Sequence, residues 1–390
     1  MSYLNKYKVG SPLFRTLSEG RMRLNALRNA GRYDYRPPNS IIKVQKYLAT
    51  YGDSCIYDKR SELRNFQLPE STIEPEAARP ILEQQEQVAF PETFVLRLPG
   101  GRVLGDGTVV TPENAILSES TTDFHRKQEH HHLLSEYNIP TPEHFEGRLA
   151  VVASPGSGNY FHWTLDSIPR LHQLRGLENQ IDGYYVDNRS SFHREWLSLL
   201  GIPSSKIISA SPERHIQASE LIVPSFAGLP GLPSPDGLDF VRSFMPTEKG
   251  TGKRIYISRS GTRRRHISNE NKILPLLEHH RFEVVHPGKM TVAKQMKMFA
   301  SADIIVSPHG AELTNLVYCR PGTKVIEFFS PYYLNPCFKH LAVLRGVEYL
   351  ALVGKGGTRV LRKQLDAHHV WANIKICPLT LVSLLESMLP

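Results

Sequence analysis

From about Thr93 onward, short apolar runs alternate with longer stretches whose apolar residues recur every three or four positions. Phe94-Val95-Leu96 and Val103-Leu104 flank a Pro99-Gly100-Gly101 turn, and Gly105-Asp106-Gly107 follows as a hairpin signal. Leu149-Ala150-Val151-Val152 is a buried strand that runs into the loop Pro155-Gly156-Ser157-Gly158. A helix follows from about Tyr160 to Leu174, then a strand at Tyr184-Tyr185-Val186. A helix from Phe192 to Leu200 closes at Gly201, and Leu221-Ile222-Val223 is the next strand. The densest Gly/Pro cluster, residues 228–237, then interrupts the pattern.

After it the alternation restarts. Arg254-Ile255-Tyr256-Ile257-Ser258, Phe282-Glu283-Val284-Val285, Asp303-Ile304-Ile305-Val306 and Lys324-Val325-Ile326-Glu327-Phe328 are strands. Between them lie helices from Asn269 (as N-cap) to His280, from Thr291 to Ala300 and from Leu313 to Tyr318. Strands and helices alternating at this spacing build parallel βαβ units, so two consecutive doubly wound α/β halves are expected. Ligands of such sheets bind beyond the carboxyl ends of the strands. The expected organisation is a basic arm and linker over 1–92, an N-terminal α/β domain over 93–240, a C-terminal α/β domain over 250–355, and a C-terminal extension over 356–390. The last is suited to packing back on the N-terminal domain.

Composition narrows this picture. With 390 residues, 40% of them hydrophobic, the chain is long enough to bury two cores. Four cysteines without a Cys-x-x-Cys pair fit neither a disulfide framework nor a Cys-based zinc module. The charge is 47 − 38 = +9, which favours anionic partners. Much of the excess sits in the first 36 residues, where Lys6, Lys8, Arg15, Arg21, Arg23, Arg28, Arg32 and Arg36 face only Glu19 and Asp34. That arm suits peripheral contact with an anionic membrane surface. No apolar run approaches the ~20 residues of a transmembrane helix, and Met1 to Gly20 has no apolar core of the signal-peptide kind. A cytoplasmic setting, with membrane association on that face, is expected.

Four local patterns carry candidate chemistry. His309-Gly310-Ala311-Glu312-Leu313-Thr314-Asn315 follows a strand and opens a helix, where unpaired N–H groups favour a phosphate. Gly310 admits a ligand close to the backbone, and His309 can donate to it. Arg259 ends a strand, and Arg263-Arg264-Arg265 follows; the planar fork of arginine matches diphosphate oxygens, although three consecutive arginines cannot all face one point. In Asn159-Tyr160-Phe161-His162-Trp163-Thr164-Leu165-Asp166, His162 and Asp166 are four apart and share a helix face. Either a His oriented by a carboxylate or the carboxylate itself can then act as general base. Glu327, at a strand end, is placed to accept ribose hydroxyls.

Together these patterns resemble glycosyltransferase family 61. That family shows Asn-x-x-His-x-x-x-Asp, matched by Asn159, His162 and Asp166. It then shows a Ser-Arg strand end (Ser258, Arg259), an Arg before Asn-Glu (Arg265, Asn269, Glu270), a His-Gly-Ala-Gly-Leu-Thr-Asn loop (His309 to Asn315) and a Pro-Gly-x-x-Val-Ile-Glu strand (Pro321 to Glu327). The resemblance runs from about Leu149 to Pro331. One position departs: Glu312 stands where the family usually has Gly, so its carboxylate must point away from a diphosphate, or the donor sits differently. The resemblance implies a GT-B fold, two Rossmann-like domains facing across a cleft. It also implies inverting transfer from a nucleotide sugar, usually UDP-linked, to a glycan, lipid-linked glycan or protein hydroxyl. No cofactor and no essential metal are implied. His162 or Asp166 is then the base. Arg259, Arg265, His309, Gly310, Ala311, Thr314, Asn315 and Glu327 form the donor site, with Asn159 and Glu270 in support. Glu270 would orient an arginine.

Two rival classes remain: a non-catalytic nucleotide-sugar-binding subunit of a polysaccharide assembly system, and a basic nucleic-acid-binding protein. The second lacks basic residues interleaved with aromatics on strands, so no nucleic-acid partner is expected. Glu129-His130-His131-His132, His279-His280 and His368-His369 resemble metal clusters only superficially, because adjacent residues point in different directions.

Overall fold

The computed structural model describes residues 34–67, 70–83, 87–122, 130–245, 252–262, 264–355 and 372–388. Most of the basic arm, Arg263, Glu129 and the His368-His369 pair lie outside them. The chain divides into two compact units, residues 1–63 with 91–237, and residues 64–90 with 238–390.

In the first unit, β1 (Ser40–Ile42) and β2 (Ile56–Ser61) flank the helix Val44–Tyr51. The chain then leaves for the second unit as β3 (Arg64–Gln67), β4 (Thr72–Glu74) and β5 (Gln87–Phe90). It returns as β6 (Thr93–Pro99), β7 (Arg102–Leu104), β8 (Thr108–Val110) and β9 (Ala115–Leu117), followed by β10 (Glu143–Val151), β11 (Gly183–Val186), β12 (Ile207–Ser209) and β13 (His215–Pro224). Strands β13, β10, β11 and β12 are parallel neighbours, with Leu149 opposite both Leu221 and Gly183. Leu149, Val151, Tyr185, Leu221 and Val223 pack with Val44 and Tyr47 of the first helix in one buried core. The expected doubly wound half holds only on this side. Beyond β13 the sheet turns antiparallel, because β6 and β7 both pair with it that way. The turns around Gly100-Gly101 and Gly105-Gly107 are too short for the crossover a parallel neighbour needs.

The second unit carries β16 (Lys253–Ile257), β17 (Phe282–Val285), β18 (Ala302–Pro308), β19 (Lys324–Phe329) and β20 (Glu348–Val353). A small hairpin in the first unit, β14 (Gly228–Leu229) with β15 (Leu232–Pro233), precedes them. The sheet order is β17-β16-β18-β19-β20-β4, and every pairing is parallel.

The edge strand β4 comes from the stretch expected to be a linker. Ile73 is 1% exposed there and pairs with Ala351. A three-residue strand with one apolar position lies below what periodicity resolves. The segment over 1–92 is therefore not all arm and linker: residues 40–63 build the first unit and 64–90 the second.

The C-terminal segment also differs from expectation. The helix Pro378–Met388 packs in the second unit, where Leu381 and Leu385 join Ile273 and Leu277 in one apolar cluster. Burying each leucine stabilises that attachment by ~1.5–3 kcal/mol. Asn269 precedes the helix Glu270–His279 but does not cap it through its side chain. Its amide instead exchanges hydrogen bonds with the backbone of Ile376, at 2.8 and 3.0 Å, and so anchors the C-terminal segment.

Candidate active site

In the first unit the candidate chemistry opens a helical run. Asn159 caps it, its side-chain oxygen accepting from the Phe161 N–H at 2.8 Å. The turn Tyr160–His162 leads into a π-helical turn, Trp163–Ser167, before regular helix resumes over Ile168–Gln173. Such π turns displace side chains from regular helical positions and recur at functional sites. His162 Nδ1 lies 2.7 Å from Asp166 Oδ2, and Asp166 Oδ1 accepts from the Gly231 N–H at 2.6 Å. Both carboxylate oxygens are thus engaged, and the Asp166 side chain is 1% exposed against 22% for His162. The imidazole is the member of the pair that solvent reaches.

Gly231 sits at the tip of the β14–β15 hairpin with φ +79°. The Gly/Pro cluster does more than punctuate the chain: it carries a backbone donor to the buried carboxylate. Arg170, one helical turn beyond Asp166, is fully buried. It donates to the carbonyls of Ala153, Ser120 and Pro224 at 2.7 to 3.2 Å and lies over the Phe226 ring. Burial pushes its pKa down to about 10, and the Asp166 carboxylate pulls the other way, so the group stays cationic at neutral pH. Neither Gly231 nor Arg170 was expected from sequence. Arg170 had a signal, since positions 162, 166 and 170 share one helix face.

At the carboxyl ends of β10 and β11, Asp106, Gly156, Ser157, Gly158, Asn159 and Arg189 line an open cavity of about 430 Å³. Arg189 is held there by Asp187, whose carboxylate accepts from its Nε at 2.9 Å and its Nη2 at 2.5 Å.

In the second unit the expected donor residues gather where β16, β18 and β19 end. His309 directly follows β18, its N–H donating to the Phe328 carbonyl at 2.8 Å. His309 Nδ1 lies 2.5 Å from Glu327 Oε1, and the Tyr349 hydroxyl donates to Glu327 Oε2 at 2.5 Å. Glu327 is 0% exposed, so the direct ribose contact expected for it is replaced by a grip on His309. The strand pairing explains this: Glu327 is opposite Ser307 and Ala351, in the middle of the sheet. Burial pushes the Glu327 pKa up to about 8, against the Tyr349 hydrogen bond and the Arg265 charge. Burial, with Arg265 and Arg259 nearby, holds His309 well below the usual imidazole range. At neutral pH both groups are therefore uncharged. The Glu327 hydroxyl donates to Nδ1, and the ring proton sits on Nε2 as a donor.

Arg259 is 9% exposed and bonds Glu312 through Nη1. A methyl on Gly310 would collide with both groups, so the bare Cα of Gly310 makes room for the pair. Arg265 lies over the Tyr333 ring at 5.3 Å. It has the left-handed φ of +54°, and its buried Nε has no hydrogen-bond partner among the described residues.

The remaining expected residues divide. Ala311 opens the 3₁₀ helix Ala311–Tyr318 beside Gly310. Thr314 and Asn315 are fully buried, and the Asn315 amide donates to Gln295 Oε1 and to the Glu312 carbonyl, so this side chain holds the helix in place. Glu270 orients no arginine directly among the described residues. Its carboxylate accepts from Tyr256 and Ser258 at 2.7 and 2.8 Å, which fixes the strand end just before Arg259. Tyr349 was not expected, because nothing in its local sequence links it to Glu327.

Among the described residues no group of three or more His, Cys, Asp or Glu side chains is placed to hold a metal ion. Nor is any helix among them long and apolar enough to cross a membrane.

The arginines and the buried histidine thus gather at the strand ends, where parallel α/β sheets bind their ligands. Residues 160–326 match the model of the family Glycosyltransferase 61, which bears out the resemblance carried by the motifs; this stretch is a glycosyltransferase 61 region. Similar proteins include a beta-1,2-xylosyltransferase of Oryza sativa subsp. japonica, 35% identical over 63 residues, which are 16% of this chain and 12% of that protein. A beta-1,2-xylosyltransferase of Arabidopsis thaliana is 33% identical over 63 residues, again 16% and 12% of the two chains. An EGF domain-specific O-linked N-acetylglucosamine transferase of Drosophila melanogaster is 33% identical over 97 residues, 24% and 18% of the two chains.

Proposed function

We propose that this chain is an inverting glycosyltransferase that takes a sugar from a nucleotide sugar, UDP-linked, and passes it to a hydroxyl of a glycan, lipid-linked glycan or protein. The two units then correspond to the two halves of a GT-B enzyme, with donor binding assigned to the second and acceptor chemistry to the first. The reading routes no step through a metal. Arg259, Arg265, His309 Nε2–H and the N–H groups at Gly310 and Ala311 take the negative charge of the leaving diphosphate. His162 removes the acceptor proton as the hydroxyl attacks the anomeric carbon. Asp166, itself held by Gly231, orients the imidazole and balances its charge. This choice of base follows burial: Asp166 has no free oxygen to offer an acceptor.

The observation that carries the reading is Arg265. A largely buried guanidinium with no hydrogen bond or ion pair among the described residues is costly. Its backbone strain adds to that cost. Both are accounted for if an anionic ligand completes the site. Calorimetric titration with UDP tests this, comparing wild type and Arg265→Met. The variant should lose UDP affinity by roughly tenfold or more, while its melting temperature stays level or rises. Unchanged UDP affinity would remove Arg265 from the donor site. Hydrolysis or transfer of a sugar from a panel of UDP-sugars separates an enzyme from a non-catalytic binding subunit.

A further inference from the structure

The Glu312 carboxylate occupies the face of Arg259 that a phosphate would need. Glu312 sits in the first turn of the 3₁₀ helix Ala311–Tyr318, and its Oε2 takes the Arg259 Nη1 hydrogen bond. The two partners are unequally placed. The Arg259 side chain is 10% exposed and the Glu312 side chain 22%. The arginine is further constrained: among the described residues its buried Nε has no partner, and its Nη2 reaches only the Arg264 carbonyl, at 3.5 Å. The carboxylate is therefore the more exposed member of the pair, beside the bare Cα of Gly310.

The local charge sharpens the point. Arg259 and Arg265 contribute two positive charges, Glu312 removes one, and the His309–Glu327 pair contributes none at neutral pH. One net positive charge remains for a diphosphate that carries two or three negative ones. A carboxylate left in place would repel that ligand and keep the Arg259 Nη1 donor for itself.

We propose that Glu312 is a specificity-determining residue: an internal counter-ion that holds the anion position on Arg259 and yields it to the donor's phosphate on binding. It keeps a buried guanidinium paired while the site is empty. It also makes diphosphate binding an exchange of one anion for another, which weakens retention of the nucleoside diphosphate product. This inference rests on the donor-site reading above.

Calorimetric titrations with UDP, inorganic pyrophosphate and uridine test it, on wild type, Glu312→Gln and Glu312→Gly. Both variants should bind UDP and pyrophosphate on the order of tenfold more tightly, the effect of removing one like charge about 6 Å away in a half-hydrated site. Uridine affinity should not change. The gain should shrink with added salt and be smaller in an Arg259→Ala background, where only the like-charge repulsion is left to relieve. UDP binding that is unchanged or weakened in both variants would overturn the proposal and make Glu312 a fixed support for Arg259. If neither UDP nor pyrophosphate binds wild type or either variant, the donor-site reading itself fails, and the counter-ion role with it.

Discussion

Replacing Glu327 by Gln isolates the proton that His309 needs. In the folded protein Glu327 titrates at about 8, with its oxygens held by His309 and Tyr349 at 2.5 Å each. Below that value the carboxyl keeps its proton, and well above it the proton is lost. Below the transition the proton on Nε2 can be donated to a phosphate. Above it the Glu327 carboxylate draws the ring proton to Nδ1, and Nε2 turns a lone pair toward the anion. A hydrogen bond to a charged group is worth ~1.5–3 kcal/mol, enough for the loss to show fully over two pH units. UDP should therefore bind wild type about tenfold more weakly at pH 9 than at pH 7. Glu327→Gln keeps both hydrogen bonds, with the amide N–H donating to Nδ1 and its oxygen accepting from Tyr349. Its UDP affinity should stay flat across the same range. Stability gives a second reading with a definite sign. The folded state holds the Glu327 proton up to about pH 8, whereas the unfolded chain releases it near 4.5, so this group's contribution to stability falls as pH rises between those values. The Gln variant should lack that slope. A wild-type UDP affinity that is level from pH 7 to 9, or a fall of equal size in Glu327→Gln, would refute the proposed proton arrangement.

Other outcomes follow from the first unit. His162→Ala should lower transfer by ~10²–10⁴-fold while leaving UDP affinity within about twofold, measured by transfer kinetics beside UDP titration. Asp166→Asn should lower the transfer rate as well, because an amide cannot match both the His162 and the Gly231 N–H bonds; full activity in both variants would move the chemistry elsewhere. Arg170→Leu removes the donor of four backbone hydrogen bonds and should cost on the order of 3–5 kcal/mol in urea unfolding, for the stranded carbonyls of Ala153, Ser120 and Pro224. Gly231→Ala should lower the melting temperature, since its φ of +79° strains any side chain and a methyl there would press on Phe161.

Much of the site was legible in the chain because its signals are local. The spacing of His162 and Asp166 on one helix, the Gly310 helix start after an apolar strand, and arginine at a strand end all follow from chemistry within a few residues. The alternation of apolar runs and amphipathic stretches likewise determined that both units contain parallel βαβ elements. What the chain alone left open was decided by pairing between distant segments. Parallel register set Glu327 in the middle of its sheet, so a residue expected to meet ribose is buried against His309 and Tyr349. The second partner of Asp166 was likewise open until the hairpin brought the Gly231 N–H to its other oxygen. Short, weakly patterned strands such as Thr72–Glu74 declare themselves only when a sheet edge accepts them. The effect of Glu312 was open for the same reason: a carboxylate's consequence depends on which cation it meets, and only the folded strand ends bring Arg259 to it.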